Sequence, residues 1–155
     1  MNQIKISSLA QAEPIPYELL LLADPSIARI EAYIFDSKIY VAQSGGKTIG
    51  VFVSQDKSEG VVEIKNIAVA ESLQGQGIGK LLLKEACSIA KADGFKMIEI
   101  GTGNSSIGQL YLYQREGFSI SHIVKDFFTN SYPEPIYENG ILCQHMIVLA
   151  KDLAT

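Results

Sequence analysis

Residues 64–86, IKNIAVAESLQGQGIGKLLLKEA, place three glycines within five residues, between an apolar run and a helical pattern. The apolar run predicts a strand, and Ile78, Leu82 and Ile89 follow the spacing of one helix face. Glycine has no Cβ, so its backbone tolerates left-handed conformations and close approach by another molecule. We therefore predict that the chain passes from strand to helix through a turn whose backbone contacts a ligand.

Two common phosphate-binding motifs do not fit this turn. A Walker A loop needs G-x-x-x-x-G-K-[ST], but Gln74 replaces the first glycine and Leu81 the final hydroxyl residue. A dinucleotide fingerprint needs G-x-G-x-x-G, whereas the glycines here are evenly spaced. What remains is a helix N-terminus whose free N–H groups and dipole favour a diphosphate. The alternative is a tight strand-to-helix turn that binds nothing.

Two motifs resemble those of the GNAT family of N-acetyltransferases. Its acetyl-CoA-binding segment is an apolar strand followed by [QR]-x-x-G-x-[GA], and Gln74, Gly77 and Gly79 fill the specified positions. LYLYQREGF resembles the family's L-Y-x-x-x-G-F signature, with Tyr113 four residues before Gly117. The resemblance implies a transferase that moves an acetyl group by direct transfer. Its co-substrate would be acetyl-CoA, and its acceptor a primary amine of a small molecule or peptide.

The resemblance also implies a set of cofactor-binding residues. The glycine-rich turn would hold the CoA pyrophosphate, and the end of the preceding strand would pair with the pantetheine arm. Asn104 would bond the pantetheine or adenosine end, or instead cap the helix that follows it. The implied residues are Ile67, Ala68, Val69, Gln74, Gly75, Gln76, Gly77, Ile78, Gly79, Lys80 and Asn104.

Two side chains are expected to carry the chemistry. The tyrosine that matches Tyr113 in the family lies near the CoA sulfur, where a phenol can reprotonate the leaving thiolate. The alternative is that Tyr113 is a core residue, with Tyr111 pointing inward. Glu63 is the expected base for the acceptor amine, through water, because some family members have a glutamate six residues before the end of this strand. It could instead be exposed and paired with Lys65.

The order of predicted elements is that of a mixed α/β (α+β) fold. We expect a GNAT-like, mostly antiparallel sheet of about seven strands flanked by about four helices, formed by residues 1–155 as a single domain. Two short helices are predicted between residues 17 and 35, the second beginning at Pro25 with Asp24 as its cap. Residues 141–150 are predicted to form one closing strand.

A long loop of sixteen residues, 125–140, is predicted between the last two strands. Its aromatic residues and the acids Asp126, Glu134 and Glu138 would suit a cationic acceptor such as a polyamine, an aminoglycoside or a peptide N-terminus. The alternative is a lid or a dimer contact without substrate preference. His122 and His145 lie in strand-like segments and are expected to be structural.

Composition excludes several classes of function. The net charge of −4 and the pI of about 5.2 argue against nucleic acid as a partner. Cys87, Cys143 and two histidines form no zinc pattern, so no metal site is expected. The absence of a signal-peptide pattern and of any long apolar run predicts a cytoplasmic protein that binds no membrane. A homodimer is possible by analogy with relatives. The competing functions are an acetyl-CoA sensor without catalysis and an acyltransferase for longer chains.

Overall fold

The computed structural model describes residues 3–154, so Met1, Asn2 and Thr155, at the ends of the predicted domain, lie outside the described residues. The strands are β1 Lys5–Ser8, β2 Lys38–Ser44, β3 Lys47–Ser58, β4 Val61–Val69, β5 Met97–Gly103, β6 Ser119–Val124, β7 Tyr137–Glu138, β8 Ile141–Leu142 and β9 Met146–Asp152. The helices are α1 Tyr17–Ala23, α2 Ile27–Ile34, α3 Ile78–Ala92, α4 Ile107–Arg115 and α5 Phe127–Ser131. A 3-10 turn, Glu71–Leu73, lies between β4 and α3.

Seven strands form one sheet in the order β1-β2-β3-β4-β5-β9-β6, and β7 pairs with β8 separately. All neighbours in the large sheet are antiparallel except β4 and β5. Parallel neighbours need a crossover connection, and α3 supplies it. The predicted mixed, mostly antiparallel sheet of seven strands is therefore confirmed. Residues 3–154 contain five α-helices rather than about four, because α5 forms inside the segment predicted as a loop.

Two apolar clusters cover the two faces of this sheet. On one face, Leu82 and Leu83 of α3 are fully buried against β3 and β4. On the other face, Leu20 of α1 and Ile30 of α2 are fully buried with alternate residues of the same strands. Burying one such side chain contributes roughly 1.5–3 kcal/mol. The α3 and α1–α2 layers thus fix β4 from both sides.

The β4 and β5 strands separate part of the way along their length. Their pairing runs only from Val61–Met97 to Ile64–Ile100. Beyond that point β4 continues to Val69 and β5 to Gly103, and each keeps its partner on the outer side. The sheet therefore contains a wedge-shaped opening between the end of β4 and the end of β5.

A bulge in β4 lies at the start of this opening. Val53 of β3 pairs with Asn66, but the next residue of β3 pairs with Ile64, so Lys65 is the extra residue. A bulge reverses the facing of the residues that follow it. Accordingly Ile64 packs in the α3 cluster, whereas Ala68, an even number of residues later, packs in the α1–α2 cluster.

The sequence prediction of a single strand over residues 141–150 is wrong. The β8 strand ends at Leu142 and β9 begins at Met146. Between them, the N–H groups of Gln144 and His145 donate to the Asn104 Oδ1 at 2.8 and 2.9 Å. These two amides therefore bond a side chain rather than a neighbouring strand.

The predicted cap of the second helix is also wrong. Helix α2 begins at Ile27, after Pro25, and its N-cap is Ser26, whose Oγ accepts the Arg29 N–H at 3.3 Å. Asp24 is instead the C-cap residue of α1, and its carboxylate accepts the Ser26 N–H at 3.1 Å. Asp24 and Ser26 are both residue types that cap helices, and in the folded protein Ser26 caps α2.

Among residues 3–154, no helix is both long and apolar enough to cross a lipid bilayer.

Candidate active site

The glycine-rich turn has the backbone conformation that requires glycine. Gly75 has φ +78° and Gly77 has φ +87°, both in the left-handed region. Gly77 is the N-cap residue of α3 and has no side chain with which to cap it. The first N–H groups of α3 are therefore left for an external acceptor, at the positive end of the helix dipole.

Gln74 ties this turn to the preceding strand. Its Nε2 donates to the carbonyl oxygen of Val69 at 3.0 Å. The bond spans the 3-10 turn and holds the end of β4 beside the start of α3. The same strand and helix ends form the walls of the first large cavity.

The first cavity has a volume of about 460 Å³ and lies along the glycine-rich turn and the opening beside β4. Two predicted cofactor-binding residues are not in its wall: Gln76 is exposed to solvent and Asn104 lies elsewhere. The other predicted residues line it, namely Ile67, Ala68, Val69, Gln74, Gly75, Gly77, Ile78, Gly79 and Lys80. Residues of α4 complete the wall: Gly108, Gln109, Leu112 and Tyr113.

The strand end that lines this cavity has an open backbone edge. Ile67, Ala68 and Val69 pair with β3 on one side. On the other side, the described pairing with β5 stops at Ile64. An extended ligand in the opening can therefore form strand-like hydrogen bonds with this edge.

A second cavity, of about 510 Å³, lies on the α1–α2 side of the opening. Its walls come from α1, α2, the bulged part of β4, the end of β5, and α5. The two cavities share five lining residues: Leu22, Ala23, Ile67, Gln109 and Tyr113. They therefore meet, and an extended molecule in the first cavity can present its end to a molecule in the second.

Tyr113 lies at this junction. Its side chain is 4% exposed, and its hydroxyl makes no hydrogen bond with any residue between 3 and 154. Burial raises the pKa of the Tyr113 phenol above its ordinary value, so the hydroxyl keeps its proton throughout the physiological range. Tyr111, the alternative inward-facing tyrosine, is 63% exposed. Tyr113 is thus a core residue and, within the described part of the chain, the one tyrosine that lines both cavities.

Glu63 lines the second cavity, as does its neighbour Lys65. The Glu63 Oε1 lies 3.3 Å from the Lys65 Nζ, with 24% and 27% of the two side chains exposed. Glu63 alternates with Val62 and Ile64, which pack in the α3 cluster, so Glu63 faces α1–α2, and the bulge at Lys65 places Asn66 on the same face. Glu63 therefore forms the ion pair expected under the alternative interpretation, and it also faces the cavity, as a base for the acceptor would.

Asn104 holds the chain after β8 instead of facing a cavity. Its Oδ1 accepts the two amides described above, and its Nδ2 donates to the Leu142 carbonyl at 3.0 Å. The expectation that Asn104 caps the following helix is wrong, because the N-cap of α4 is Ser106 and no side chain caps it. Asn104 thus positions the segment that carries Cys143 into the wall of the second cavity.

The acids predicted to attract a cation mostly have partners within the protein. The Asp126 Oδ1 accepts from the Gln144 Nε2 at 2.8 Å. The Glu138 Oε1 accepts from the Ser105 and Ser106 hydroxyls at 3.3 and 2.8 Å. Glu134 is exposed and does not line either cavity. The segment nevertheless walls the second cavity, through Phe127, Phe128, Tyr132, Ile136 and Glu138.

The histidines have local partners, as expected for structural residues. His145 Nδ1 accepts the Asp126 N–H at 3.0 Å, and exposed His122 contacts the Ser121 hydroxyl. Within residues 3–154, no three His, Cys, Asp or Glu side chains are grouped to hold a metal ion.

Several cavity residues were not identified from the sequence. Arg29 and Tyr33 of α2, and Asn66 of β4, line the second cavity. Asn66 Nδ2 donates to the Leu20 carbonyl and to the Tyr33 hydroxyl, both at 3.0 Å. Its Oδ1 is buried without a hydrogen-bond partner among the described residues. No local pattern marks these residues, because their roles depend on contacts between segments far apart in the chain.

Comparison with known proteins agrees with this geometry. The family model described as the acetyltransferase (GNAT) family matches residues 7–118. The match ends before α5, so most of the aromatic wall of the second cavity lies outside it.

Relatives cover nearly the whole chain. The uncharacterized N-acetyltransferase YvbK of Bacillus subtilis is 46% identical over 153 residues, which is 99% of each chain. A GNAT acetyltransferase of Elizabethkingia anophelis, solved with acetyl-CoA bound, is 50% identical, with a TM-score of 0.94 over 96% of this chain and 97% of that one. The IAA acetyltransferase of Bacillus cereus is 49% identical, with a TM-score of 0.93 over 97% and 99%. The chain therefore belongs to the GNAT family of acetyltransferases.

Proposed function

We propose that this protein is an N-acetyltransferase that moves the acetyl group of acetyl-CoA directly to a primary amine. The observation that carries the proposal is the junction of the two cavities at Ile67 and Tyr113. A direct transfer needs both reactants bound at once, with the reacting atoms about 3–3.5 Å apart. Two adjacent cavities with five lining residues in common would hold the two reactants side by side.

The first cavity is the proposed acetyl-CoA site. The backbone N–H groups from Gln74 to Lys80 would hold the pyrophosphate, supported by the dipole of α3. The open edge of β4 at Ile67, Ala68 and Val69 would hydrogen-bond the pantetheine arm. This arrangement points the thioester toward Tyr113. Gln76 and Asn104 are left out of the proposed site, because neither lines the cavity.

The second cavity is the proposed acceptor site, where Glu63 is the expected base. An amine of pKa about 10.4 costs roughly 4.6 kcal/mol to deprotonate at pH 7. The ammonium would first lose one proton to Glu63, directly or through water, and that proton would pass to solvent. The nitrogen of the neutral amine would then attack the thioester carbonyl carbon, and Glu63 would take a second proton from it. As the carbon–sulfur bond breaks, Tyr113 would donate its proton to the departing sulfur, and the proton held by Glu63 would return to Tyr113 through water. The products are the amide, free CoA and one proton released to solvent.

A covalent acetyl-cysteine route is less well supported. Cys87 is half-buried on α3 and lines neither cavity. Cys143 lines the second cavity, but burial raises the pKa of its thiol, which favours the less nucleophilic neutral form.

The function is tested by calorimetric titration with acetyl-CoA, followed by free-thiol release across a panel of primary amines. Binding together with thiol release on one class of amine is expected. Binding without release on any amine would favour a sensor without catalysis. Faster thiol release from longer acyl-CoAs than from acetyl-CoA would favour an acyltransferase for longer chains. Absence of binding would contradict the whole assignment.

Replacing Glu63 with glutamine is expected to reduce kcat about 100-fold, because removal of a general base typically costs 10²–10⁴ in rate. Glutamine keeps a hydrogen-bond acceptor for Lys65, so folding should be preserved. The measurement is thiol release at saturating acetyl-CoA and amine.

The matched control is Glu99→Gln. Glu99 is the register partner of Glu63 on β5, is paired with Lys57, and lines neither cavity. It should retain kcat within about threefold, since it removes the same charge from the same part of the sheet without reaching the substrate. Equal losses in the two variants would instead indicate a general charge effect and contradict the base role.

Three further expectations concern the extent of the domain, the location of the protein and its oligomeric state. We propose that residues 1–155 form one GNAT domain, because a single sheet takes strands from both ends of the described chain. The cytoplasmic location and the homodimer stay predictions. Fractionation of cells and light scattering of the purified protein would test them.

A further inference from the structure

We propose that the acetyl acceptor carries a carboxylate in addition to its amine, and that Arg29 binds this carboxylate in the second cavity. The inference rests on the proposed function, because it names the substrate class of the same acceptor site. The chemistry expected of the acceptor is that of an amino acid with an apolar or aromatic side group.

The charged residues that line the second cavity are Asp24, Arg29, Glu63, Lys65 and Glu138. Each carboxylate among them already has donors. Asp24 Oδ1 accepts from the Tyr132 hydroxyl at 2.7 Å and from the Ser26 N–H, Glu63 has Lys65, and Glu138 has two serine hydroxyls. Each of these acids is therefore already hydrogen-bonded or ion-paired within the protein.

The contacts of Arg29 in this wall are with aromatic rings. None of the salt bridges found among residues 3–154 includes it. Its guanidinium carbon lies 5.0 Å from the ring centre of Phe127 and 5.3 Å from that of Tyr132. Two ring faces attract and orient the cation, but they do not supply the paired oxygen acceptors that a guanidinium prefers.

The position of Arg29 in its helix supports a role in binding. Arg29 is the third residue of α2, in the first turn, where the helix dipole disfavours a positive charge. It is therefore not placed to stabilise α2 itself. The helix dipole and the guanidinium both favour an anion in the adjoining part of the cavity.

The surroundings favour a carboxylate over a phosphate. A dianion would lie in a cavity that also contains the carboxylates of Asp24, Glu63 and Glu138, and it would be repelled by them. A single planar carboxylate matches one guanidinium through two parallel hydrogen bonds. The same wall presents apolar groups from Phe127, Phe128, Ile136 and Met146, which suit an apolar side group on the acceptor.

The experiment compares amino acids with their decarboxylated amines in the thiol-release assay. The pairs are phenylalanine with 2-phenylethylamine, tryptophan with tryptamine, and leucine with 3-methylbutylamine. At least one amino acid should exceed its paired amine about 10-fold in kcat/KM, since a hydrogen-bonded charge contributes at least that factor. Arg29→Met should reduce this ratio to near one.

Arg115→Met is the matched control. Arg115 also contacts an aromatic ring, with its guanidinium carbon 5.7 Å from the Tyr111 ring centre, but it is exposed on α4 and outside both cavities. It should leave the ratio unchanged. Amines that react as well as their paired amino acids, with Arg29→Met having no selective effect, would overturn the carboxylate inference while leaving the acetyltransferase function intact.

A binding measurement keeps the inference testable if no amine in the panel reacts. In calorimetry with the acetyl-CoA-loaded protein, 3-phenylpropionate should bind at least about 10-fold more tightly than 3-phenylpropanol, and Arg29→Met should remove the difference. Such a result without any acetyl transfer would support the carboxylate site and count against the proposed function. Equal binding of the two compounds would contradict the carboxylate site.

Discussion

Replacing Tyr113 with phenylalanine is expected to reduce kcat about 100-fold, equivalent to about 2.7 kcal/mol of transition-state stabilisation. The change removes only the hydroxyl, which lies where the two cavities meet and makes no hydrogen bond within residues 3–154. Because no internal bond is lost, the melting temperature should hardly change. The affinity for acetyl-CoA, measured by calorimetry, should also stay close to that of the parent protein.

Tyr111→Phe is the matched control for this substitution. Tyr111 precedes Tyr113 by two residues on the same helix, is largely exposed, and lines neither cavity. It should retain full activity. Full turnover by Tyr113→Phe at saturating substrates would remove the acid role and leave Tyr113 as a core residue.

The pH dependence of kcat and of the free energy of unfolding gives a further test of the role of Tyr113. Because burial raises the pKa of its phenol above the ordinary value of 10.0, Tyr113 should add no decline in kcat as pH rises from 6 to 9. A group whose pKa is raised by folding contributes stability below its unfolded pKa and loses it as pH rises through the folded pKa. Ionisation of the Tyr113 phenol should therefore lower the free energy of unfolding only above pH 10. In Tyr113→Phe, this contribution to the loss of stability at high pH should be absent.

Replacing Gly77 with alanine is expected to weaken acetyl-CoA binding at least about 10-fold, or about 1.4 kcal/mol, in a calorimetric titration. Gly77 has φ +87° and is the N-cap of α3. A left-handed conformation costs a residue with a Cβ about 1–2 kcal/mol, so alanine would shift the turn away from its present shape. A Cβ here would meet no protein atom within 4 Å, and Gly77 lines the first cavity. The loss of affinity should therefore come from the altered backbone conformation of the glycine-rich turn and not from a clash inside the protein.

Gly46→Ala separates this effect from backbone strain. Gly46 has φ +80°, also with no heavy atom within 4 Å of its Cβ position, but it lies in the β2–β3 turn away from both cavities. Both variants should lose about 1–2 kcal/mol of stability in chemical denaturation. Only Gly77→Ala should lose affinity for acetyl-CoA. If Gly77→Ala and Gly46→Ala bind acetyl-CoA equally tightly, the glycine-rich turn does not hold the cofactor.

The predicted site residues that line the first cavity are local in the chain. The end of β4, the glycine-rich turn and the start of α3 lie within about 20 consecutive residues, so periodicity predicts the strand and the helix, and the family resemblance carried by the turn implies the residues between them. Gly94 and Gly117, with φ +91° and +94°, end α3 and α4 as local patterns indicate.

The cap of α2 is a local error, whereas other errors come from contacts between distant segments. Asn104 breaks the last predicted strand by bonding residues 40 and 41 positions later in the chain. Glu138 bonds serine hydroxyls more than 30 positions earlier, a contact that the sequence of residues 125–140 does not reveal. The hydrogen bond between Tyr132 and Asp24 joins residues 108 positions apart and brings the aromatic segment against α2, so Arg29 carried no signal in the sequence.

The short pairing of β4 with β5 has a mechanical consequence. Only four residue pairs, from Val61–Met97 to Ile64–Ile100, join the half-sheet β1-β2-β3-β4 to the half-sheet β5-β9-β6. We expect these pairs to act as a hinge, so that a small change in the angle between the half-sheets would widen or narrow the opening without breaking a strand pair. A molecule bonded to the edge of β4 would restrain that hinge. Amide hydrogen exchange at Ile67, Ala68 and Val69 should then slow when acetyl-CoA is bound, as the two half-sheets come to move as one body.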